Sequence, residues 1–270
     1  MDFILTAWER GEQLLKSSWA NWNGSLTFYT CLPLPLGWPI EFRWAARWVL
    51  FVGLLIGGLL ALADWTMGQM GMPLLLVSVL VVSLEILITG GLHLDGVMDT
   101  ADGLAVPVWD EAGVSRRLAA MADSRMGAFG GMAAIALLLI KVSALSALTD
   151  NRGLALIAMT VWGRWGQQWA IARYPYLKPD GKGAFHQVAL PSVWSVLPGL
   201  VGLVGISLGL GSLGWVTWPW MGRSVVGGIA SSLIMGAYFN RKLGGHTGDT
   251  YGAVVEWTEA FLLCVLTIGG

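Results

Sequence analysis

The sequence MPLLLVSVLVVSLEILITG, residues 72–90, contains a single charged residue, Glu85. A helix that crosses the hydrocarbon core of a bilayer needs about 20 predominantly apolar residues, so this stretch predicts a transmembrane helix. Six further segments meet the same criterion: 44–63, 126–149, 153–172, 190–212, 219–239 and 250–269. We therefore predict an all-α fold, a polytopic integral membrane helix bundle of about seven transmembrane helices that forms a single domain over residues 1–270.

The N-terminal segment 2–20 differs from these seven because it mixes Phe, Ile, Leu and Trp with acidic and basic side chains. This mixture is typical of an amphipathic helix that lies in the membrane interface. The alternative is an ordinary surface helix. We expect an N-terminal amphipathic interfacial helix ahead of the bundle.

The composition supports a membrane protein and excludes several other classes. Hydrophobic residues make up 55% of the chain and charged residues only 12%, whereas soluble domains contain about 25% charged residues. The net charge of −1 provides no basic field for nucleic acid, and two widely separated cysteines form neither a disulfide framework nor a zinc motif. We expect membrane lipid as a partner and no nucleic acid.

The distribution of Lys and Arg predicts the orientation, because these residues favour the cytoplasmic side. They are frequent before residue 44 and in loops 91–125, 173–189 and 240–249, whereas the intervening turns contain only Arg152. We predict a multi-pass protein of a bacterial-type inner (cytoplasmic) membrane, with the N-terminus inside and the C-terminus outside.

Three aspartates spaced by four and three residues follow the apolar run of residues 72–90. Asp95, Asp99 and Asp102 share one helix face at about 100° per residue. A divalent cation that prefers oxygen ligands, such as magnesium, would relieve their repulsion. A solvated acidic face is the alternative.

Two other acidic positions join this group of candidate ligands. Gly90 and Gly91 predict a break at the end of the apolar run, which would let Glu85 reach the same cavity. Asp249 begins a second acidic arm that faces the first, and simple helix capping is its alternative. The candidate metal ligands are Glu85, Asp95, Asp99, Asp102 and Asp249.

Two cationic segments are candidates for phosphate binding. Asp123 and Arg125 precede the glycine-rich start of a helix, where an Arg fork and a helix N-terminus both attract phosphate; a local salt bridge is the alternative. The Pro- and Gly-rich loop 173–186 carries Arg173, Lys178 and Lys182, and positive-inside anchoring is the alternative there. His246, in a third glycine-rich stretch, completes the candidates.

Ionisable residues also occur inside the apolar segments, where they are costly and usually mark function. Glu256 and Glu259 lie near a predicted cytoplasmic end, and Arg164 lies about two turns from one. Lys141 lies deeper. For Lys141 we expect a structural ion pair or a side chain that extends to the interface.

All of these polar groups except Lys141 gather towards the predicted cytoplasmic side. Acids for a metal beside bases for phosphate indicate metal-assisted phosphoryl or phosphodiester chemistry. A CDP-alcohol phosphotransferase is one alternative, but its DxxDGxxAR spacing is absent. A transporter is another, but its acids should lie near the membrane midplane or on both sides.

Several motifs, in order along the chain, resemble the cobalamin synthase (adenosylcobinamide-GDP ribazoletransferase) family. They are FYTCLPLP (28–35), TGGLHLDGVMDTADGL (89–104), DSRMGAFG (123–130), RYPYLKPDGKGAFH (173–186) and GDTYGAVVEWTE (248–259). The resemblance implies an integral membrane, magnesium-dependent enzyme of the vitamin B12 nucleotide loop. It implies that adenosylcobinamide-GDP reacts with α-ribazole or its 5′-phosphate to give adenosylcobalamin, or its phosphate, and GMP.

This chemistry suggests roles for individual residues. The ribazole hydroxyl must attack the phosphorus attached to cobinamide while GMP departs, so a metal at the pyrophosphate would stabilise the leaving group. We expect Asp95 and Asp99 on the metal side and Arg125 at the pyrophosphate. His93 is a candidate general base, but it is equally able to orient an aspartate or hold phosphate. A homo-oligomer is possible.

Overall fold

The computed structural model describes residues 2–110, 112–178 and 183–269, with side chains from residue 16 onward. Within these ranges the chain forms helices and no β-strand. The helices are α1 (Asp2–Tyr29), α2 (Ala45–Gln69), α3 (Leu74–Thr89), α4 (Leu92–Ala105), α5 (Gly113–Ala120), α6 (Ala128–Ala147), α7 (Arg152–Arg173), α8 (Phe185–Ala189), α9 (Leu197–Ser212), α10 (Trp218–Leu243) and α11 (Gly248–Leu266). The predicted all-α class is confirmed.

Each of the seven predicted apolar segments coincides with one helix: α2, α3, α6, α7, α9, α10 and α11. The largest difference is at the fifth segment, where the helix begins at Leu197, seven residues later than the predicted start at residue 190. Pro191 disfavours a helical conformation at Leu190, so α8 ends at Ala189, and a 3-10 turn (Val193–Ser195) precedes α9. Pro198 then occupies the first turn of α9, where its missing N–H costs nothing.

Three helices of the described chain are long and apolar enough to cross a bilayer: Ala45–Gln69, Ala128–Ala147 and Val193–Ser212. The bent pair of α3 and α4 is a possible fourth. α7, α10 and α11 do not meet the same apolar standard. α7 and α11 carry charged and amide side chains, most of which are buried within the bundle. The count of seven spans stays a prediction.

The chain turns by 91° between α3 and α4, at the predicted glycine break. Gly90 and Gly91 both adopt left-handed backbone conformations, with φ of 61° and 71°. A Cβ on Gly90 would also lie 2.5 Å from the Cys31 Sγ, so a side chain is excluded twice at this position. The bend turns the acidic helix α4 away from the axis of α3 and onto α11 and α6.

The bundle is organised around α7, which is buried along most of its length and packs against α2, α10 and α11. At its first residue, Arg152 forms a buried ion pair with Asp64 of α2, with an Nη2–Oδ1 distance of 2.6 Å. This pair joins two helix ends on the predicted outer side. It explains how Asp64 is accommodated in a buried position of α2.

The N-terminal segment is helical, as predicted, and α1 continues to Tyr29. The side chains of residues 2–15, which carry most of the predicted amphipathic pattern, lie outside the described set. The interfacial position of α1 therefore stays a prediction. Its C-terminal end packs on α2, where the buried Ser25 hydroxyl donates to the Ala45 carbonyl at 3.1 Å.

Candidate active site

The close crossing of α4 on α11 brings two distant parts of the sequence together. A Cβ on Gly96 would lie 2.4 Å from the Asp249 carbonyl oxygen, and one on Gly252 would lie 3.0 Å from the His93 Cα. Only glycine permits this backbone approach. The crossing places the acidic face of α4 beside the N-terminus of α11, as the prediction of two facing acidic arms required.

Asp99 lies at the centre of the resulting carboxylate group. Its pKa is raised to about 6 by partial burial and by the negative charges of Asp95, Asp249 and Asp102, against the opposing effect of Lys178. This residue belongs to the polar segment 91–125, outside the predicted spans. Carboxylate oxygens are the ligands that magnesium and calcium prefer, so the chemistry of this donor set fits a hard divalent cation.

Asp95 and Asp249 complete the accessible part of this group. Asp95 is exposed and Asp249 is half-buried in the second position of α11. The Asp249 carboxylate accepts a hydrogen bond from the Thr247 hydroxyl at 3.1 Å. Thr247 itself caps α11 through a reciprocal capping box with Thr250, so the capping role proposed as the alternative for Asp249 falls to Thr247.

Asp102 has a different environment from the other aspartates of α4. Its Oδ2 accepts from the Gly127 amide and its Oδ1 from the Gly130 amide, both at 2.8 Å. Added Cβ atoms at these two glycines would lie within 2.3–2.5 Å of the carboxylate oxygens, so glycine forms the cradle. Asp102 thus caps the N-terminus of α6, and its predicted role as a metal ligand must compete with these two bonds.

The cationic loop after α7 reaches the carboxylate group through one residue. The Lys178 Nζ lies 3.2 Å from the Asp249 Oδ2, and both side chains are about one-third exposed. Arg173 is exposed and stacks on the Tyr174 ring, with its guanidinium 5.4 Å from the ring centroid. Lys182 lies outside the described residues, so its predicted role is not addressed. Lys178 is the described cation that contacts the acidic group.

Asp123 and Arg125 form the local salt bridge that was the alternative to a phosphate site. The Arg125 Nη2 lies 2.7 Å from the Asp123 Oδ2, and the Arg125 side chain is 87% exposed. Hydrogen bonds donated by the side chain and the backbone amide of Arg125 lower the pKa of Asp123 to about 2. Because Asp102 binds the adjacent Gly127, the pair lies at the edge of the acidic face, with the guanidinium accessible to a ligand.

The structure contradicts the predicted phosphate-binding role of His246. This side chain is fully buried. Its Nε2 lies 3.0 Å from the Gly236 carbonyl oxygen, and its Nδ1 lies 3.1 Å from the Thr250 hydroxyl. Burial lowers the pKa of His246 to about 4, so it carries no charge for a phosphate. The ring instead stacks between Tyr174 and Tyr251 and fixes the loop after α7 against α11.

Glu85 also lies elsewhere than predicted. It belongs to a buried cluster in which the Lys141 Nζ lies 3.1 Å from Glu85, 2.7 Å from Glu256 and 2.5 Å from Glu259. Oxygen atoms of these three carboxylates lie within 4.8 Å of one another. Among the described residues, no other set of three or more Asp, Glu, His or Cys side chains is grouped so closely. The Lys141 ammonium supplies the positive charge there, so a metal role for Glu85 with the aspartates is not supported. The predicted structural ion pair of Lys141 is confirmed.

His93 lies between the buried cluster and the acidic face. Arg164 pairs with Glu259 and places its Nη2 3.5 Å from the His93 Nδ1. A guanidinium only donates hydrogen bonds, so Nδ1 is the acceptor and the proton of a neutral ring resides on Nε2. Nε2 is buried without a partner among the described residues. Because Nε2 already carries the proton in this tautomer, it is better placed to donate a hydrogen bond than to act as a general base.

The sequence alone did not identify all the side chains around this region. Arg164 and Glu259 were noticeable as charges in apolar segments, but their partners were not predictable. Tyr29 had no such signal. Its ring stacks on His186 with 5.8 Å between centroids and lies 6.1 Å from His93, although these residues come from three separate parts of the chain.

The fold and the site define a class: an α-helical protein with membrane-type helices and a carboxylate group flanked by cations. The family model for cobalamin-5-phosphate synthase matches residues 21–267. The chain belongs to this family.

Curated relatives cover nearly the whole chain. A protein of Trichormus variabilis is 56% identical over 252 residues, which cover 92% of this chain and 96% of the relative. Proteins of Thermosynechococcus vestitus and a Synechococcus species are 47% and 46% identical over 257 residues, covering 94% and 95% of this chain and 99% of each relative. All three are named adenosylcobinamide-GDP ribazoletransferase. No solved structure matches.

Proposed function

We propose that this chain is an adenosylcobinamide-GDP ribazoletransferase, an enzyme of cobalamin biosynthesis. Family membership and the names of relatives that match along their full length support this function. The structural observation that carries the proposal is the crossing of α4 on α11. It assembles Asp95, Asp99 and Asp249 beside Lys178, as a reaction between two anionic partners requires.

We infer that Asp95, Asp99 and Asp249 hold Mg²⁺. The mutual repulsion of these carboxylates favours the binding of a divalent cation. Because the carboxylates are at least partly exposed, substrate oxygens can complete the coordination sphere. When bound, the cation would polarise the pyrophosphate and stabilise the charge that develops on GMP. Asp102 serves this arrangement indirectly because it fixes α4 to α6.

The acceptor is the ribose hydroxyl of α-ribazole or of its 5′-phosphate. The family description names the 5-phosphate product, which favours the phosphorylated acceptor. Incubation of the purified protein with adenosylcobinamide-GDP, each acceptor in turn and Mg²⁺ tests the function directly. We expect GMP and a cobamide in equal amounts, and neither product in the presence of a chelator. Absence of GMP with both acceptors would contradict the proposal.

Lys178 and Arg125 have different surroundings, which predicts different kinetic effects. Lys178 is a flexible point charge beside Asp249, so Lys178→Ala is expected mainly to raise KM for adenosylcobinamide-GDP. The planar fork of Arg125 is suited to bidentate binding of the reacting pyrophosphate, so Arg125→Ala is expected to lower kcat as well. Steady-state kinetics measure both constants.

Arg116 provides the matched control for these two variants, because it is another exposed cation in a local ion pair, with Asp110. Arg116→Ala should leave both constants unchanged. If Arg125→Ala changed only KM, Arg125 would bind the ground state alone, and its assignment to the reacting pyrophosphate would be wrong.

We further propose seven membrane spans in a bacterial-type inner membrane, with the acidic face towards the cytoplasm. The coincidence of all seven predicted segments with helices supports the seven spans, and the Lys/Arg asymmetry supports the orientation. Labelling of cysteines introduced at the exposed Asp110 and Trp215 tests it in intact cells. Reagent added outside should modify position 215 and spare position 110, and the reverse pattern would exclude the orientation.

A further inference from the structure

A narrow apolar groove of about 660 Å³ runs between α9 and the helices α2, α7 and α10, away from the carboxylate group. Its wall on α9 extends from Pro198 to Leu210, which corresponds to about 18 Å of helix at 1.5 Å per residue. That length exceeds the roughly 15 Å of one bilayer leaflet, taken as half of a 30 Å hydrocarbon core. The groove thus runs along most of the height of the bundle.

α9 packs loosely against the other helices, which leaves this groove open. Gly211 is the only buried residue of α9, although the helix is strongly apolar. Gly199 sets the closest approach to α2, since a Cβ there would lie 2.6 Å from the Leu50 Cδ1. A Cβ on Gly202, in contrast, would meet no atom within 4 Å. The groove therefore has an apolar interior with free space beside Gly202.

A single cation stands at one end of the groove. Arg47 of α2 lines it together with Phe51, and both residues also line a second pocket of about 370 Å³. That pocket is polar on one side, and its other lining residues are Ser17, Ser18, Asn21, Trp44 and Trp48. The apolar groove is thus continuous with a polar cup through Arg47, near the predicted cytoplasmic end of α2.

The Arg47 side chain is held in place but keeps free donors. Its Nε donates to the Ala189 carbonyl at 2.8 Å, and its guanidinium stacks on the Trp44 ring with 4.3 Å to the centroid. Within the described part of the chain its two terminal nitrogens have no hydrogen-bond or ion-pair partner, and the residue is exposed. A fixed guanidinium with two free nitrogens is suited to bidentate binding of a phosphate.

We propose that this groove binds one phospholipid of the cytoplasmic leaflet, with an acyl chain between α9 and α2 and the phosphate at Arg47. The inference rests on the proposed membrane orientation and extends beyond the transferase activity. Charge complementarity and the continuity of the apolar groove with the polar cup select this occupant. A helix of a second copy in this groove would instead appear as a lipid-free dimer.

The test measures lipid bound to purified protein. The protein is exchanged into nanodiscs of equal parts phosphatidylcholine and phosphatidylglycerol, re-extracted in mild detergent and analysed by native mass spectrometry without substrates. We expect about one phospholipid per chain. Arg47→Gln and Gly202→Leu should each reduce this occupancy by about tenfold, because the first removes a charge-assisted hydrogen bond and the second fills the groove.

Two matched variants control for general effects. Arg43→Gln removes a neighbouring exposed cation that lines neither cavity, and Gly205→Leu adds the same side chain to α9 at an open position outside the groove. Both should retain wild-type occupancy. Equal occupancy in all five proteins would overturn the proposal, as would displacement of the lipid by free α-ribazole. Because no substrate is turned over, a negative result here is distinct from a failure of the transferase assay.

Discussion

Asp95→Asn and Asp99→Asn are each expected to reduce turnover by about 10²–10³-fold, corresponding to roughly 3–4 kcal/mol of lost transition-state stabilisation. Asparagine keeps the shape of the side chain and removes its negative charge. Both positions lie on the exposed side of α4, and Asp99 stands among three other carboxylates. The measurement is the rate of GMP release at saturating Mg²⁺ and saturating substrates.

The same variants separate catalysis from folding. The raised pKa of Asp99 means that its ionised form is disfavoured in the metal-free folded protein. Its unfavourable contribution to stability therefore grows as the pH rises from about 4 to about 6 and is complete above that range. In a chelator at pH 8, Asp99→Asn should unfold at the same temperature as the wild type or higher. Asp110→Asn, an exposed acid outside the group that pairs with Arg116, should leave the rate unchanged and alter stability by no more than about 1 kcal/mol. Near-normal turnover in both test variants would rule out a metal role for this face.

Replacing Lys141 by methionine is expected to destabilise the bundle by about 3–5 kcal/mol, because loss of one partner leaves buried charge uncompensated. The ammonium is shared by Glu85, Glu256 and Glu259. Among the described residues, Arg164 would then be the one cation left in contact with these carboxylates, through Glu259. Thermal unfolding in detergent, followed by tryptophan fluorescence, measures the change.

Two further variants test whether the loss of stability in Lys141→Met comes from uncompensated buried charge. Arg116→Met breaks the exposed pair with Asp110 and should change stability by no more than about 1 kcal/mol. Adding Glu256→Gln to Lys141→Met removes one of the uncompensated charges, so the double variant should be more stable than Lys141→Met alone. Wild-type stability of Lys141→Met would show that the cluster is not a determinant of the fold.

Much of the helical architecture was predictable because hydropathy is a local property. Each apolar segment contains the information that it must be shielded from water, whatever it packs against. The glycine break after residue 89 was predictable for the same reason, since the left-handed conformation of Gly90 and Gly91 is a property of those residues alone. The gathering of charges towards one side followed from counting residues along the segments.

The sequence was less informative about the individual roles of those charges. Spacing on one helix placed Asp95, Asp99 and Asp102 on a common face, but it did not show that Asp102 binds the amides of α6. His246 and its glycine-rich surroundings were consistent with phosphate binding, yet the ring is enclosed by two tyrosines. In both cases a neighbour distant in sequence supplied the partner.

Hydropathy and spacing along the chain were therefore enough to predict which segments are helical, which of them are apolar and where the ionisable residues concentrate. Which charges meet depends on how the helices pack. Asp99 joins Asp249 because glycines at 96 and 252 let α4 and α11 approach closely. Glu85 joins Lys141 because α3 packs beside α6. Hydropathy depends on each residue separately, whereas burial and ion pairing depend on how the helices pack, which no single segment encodes.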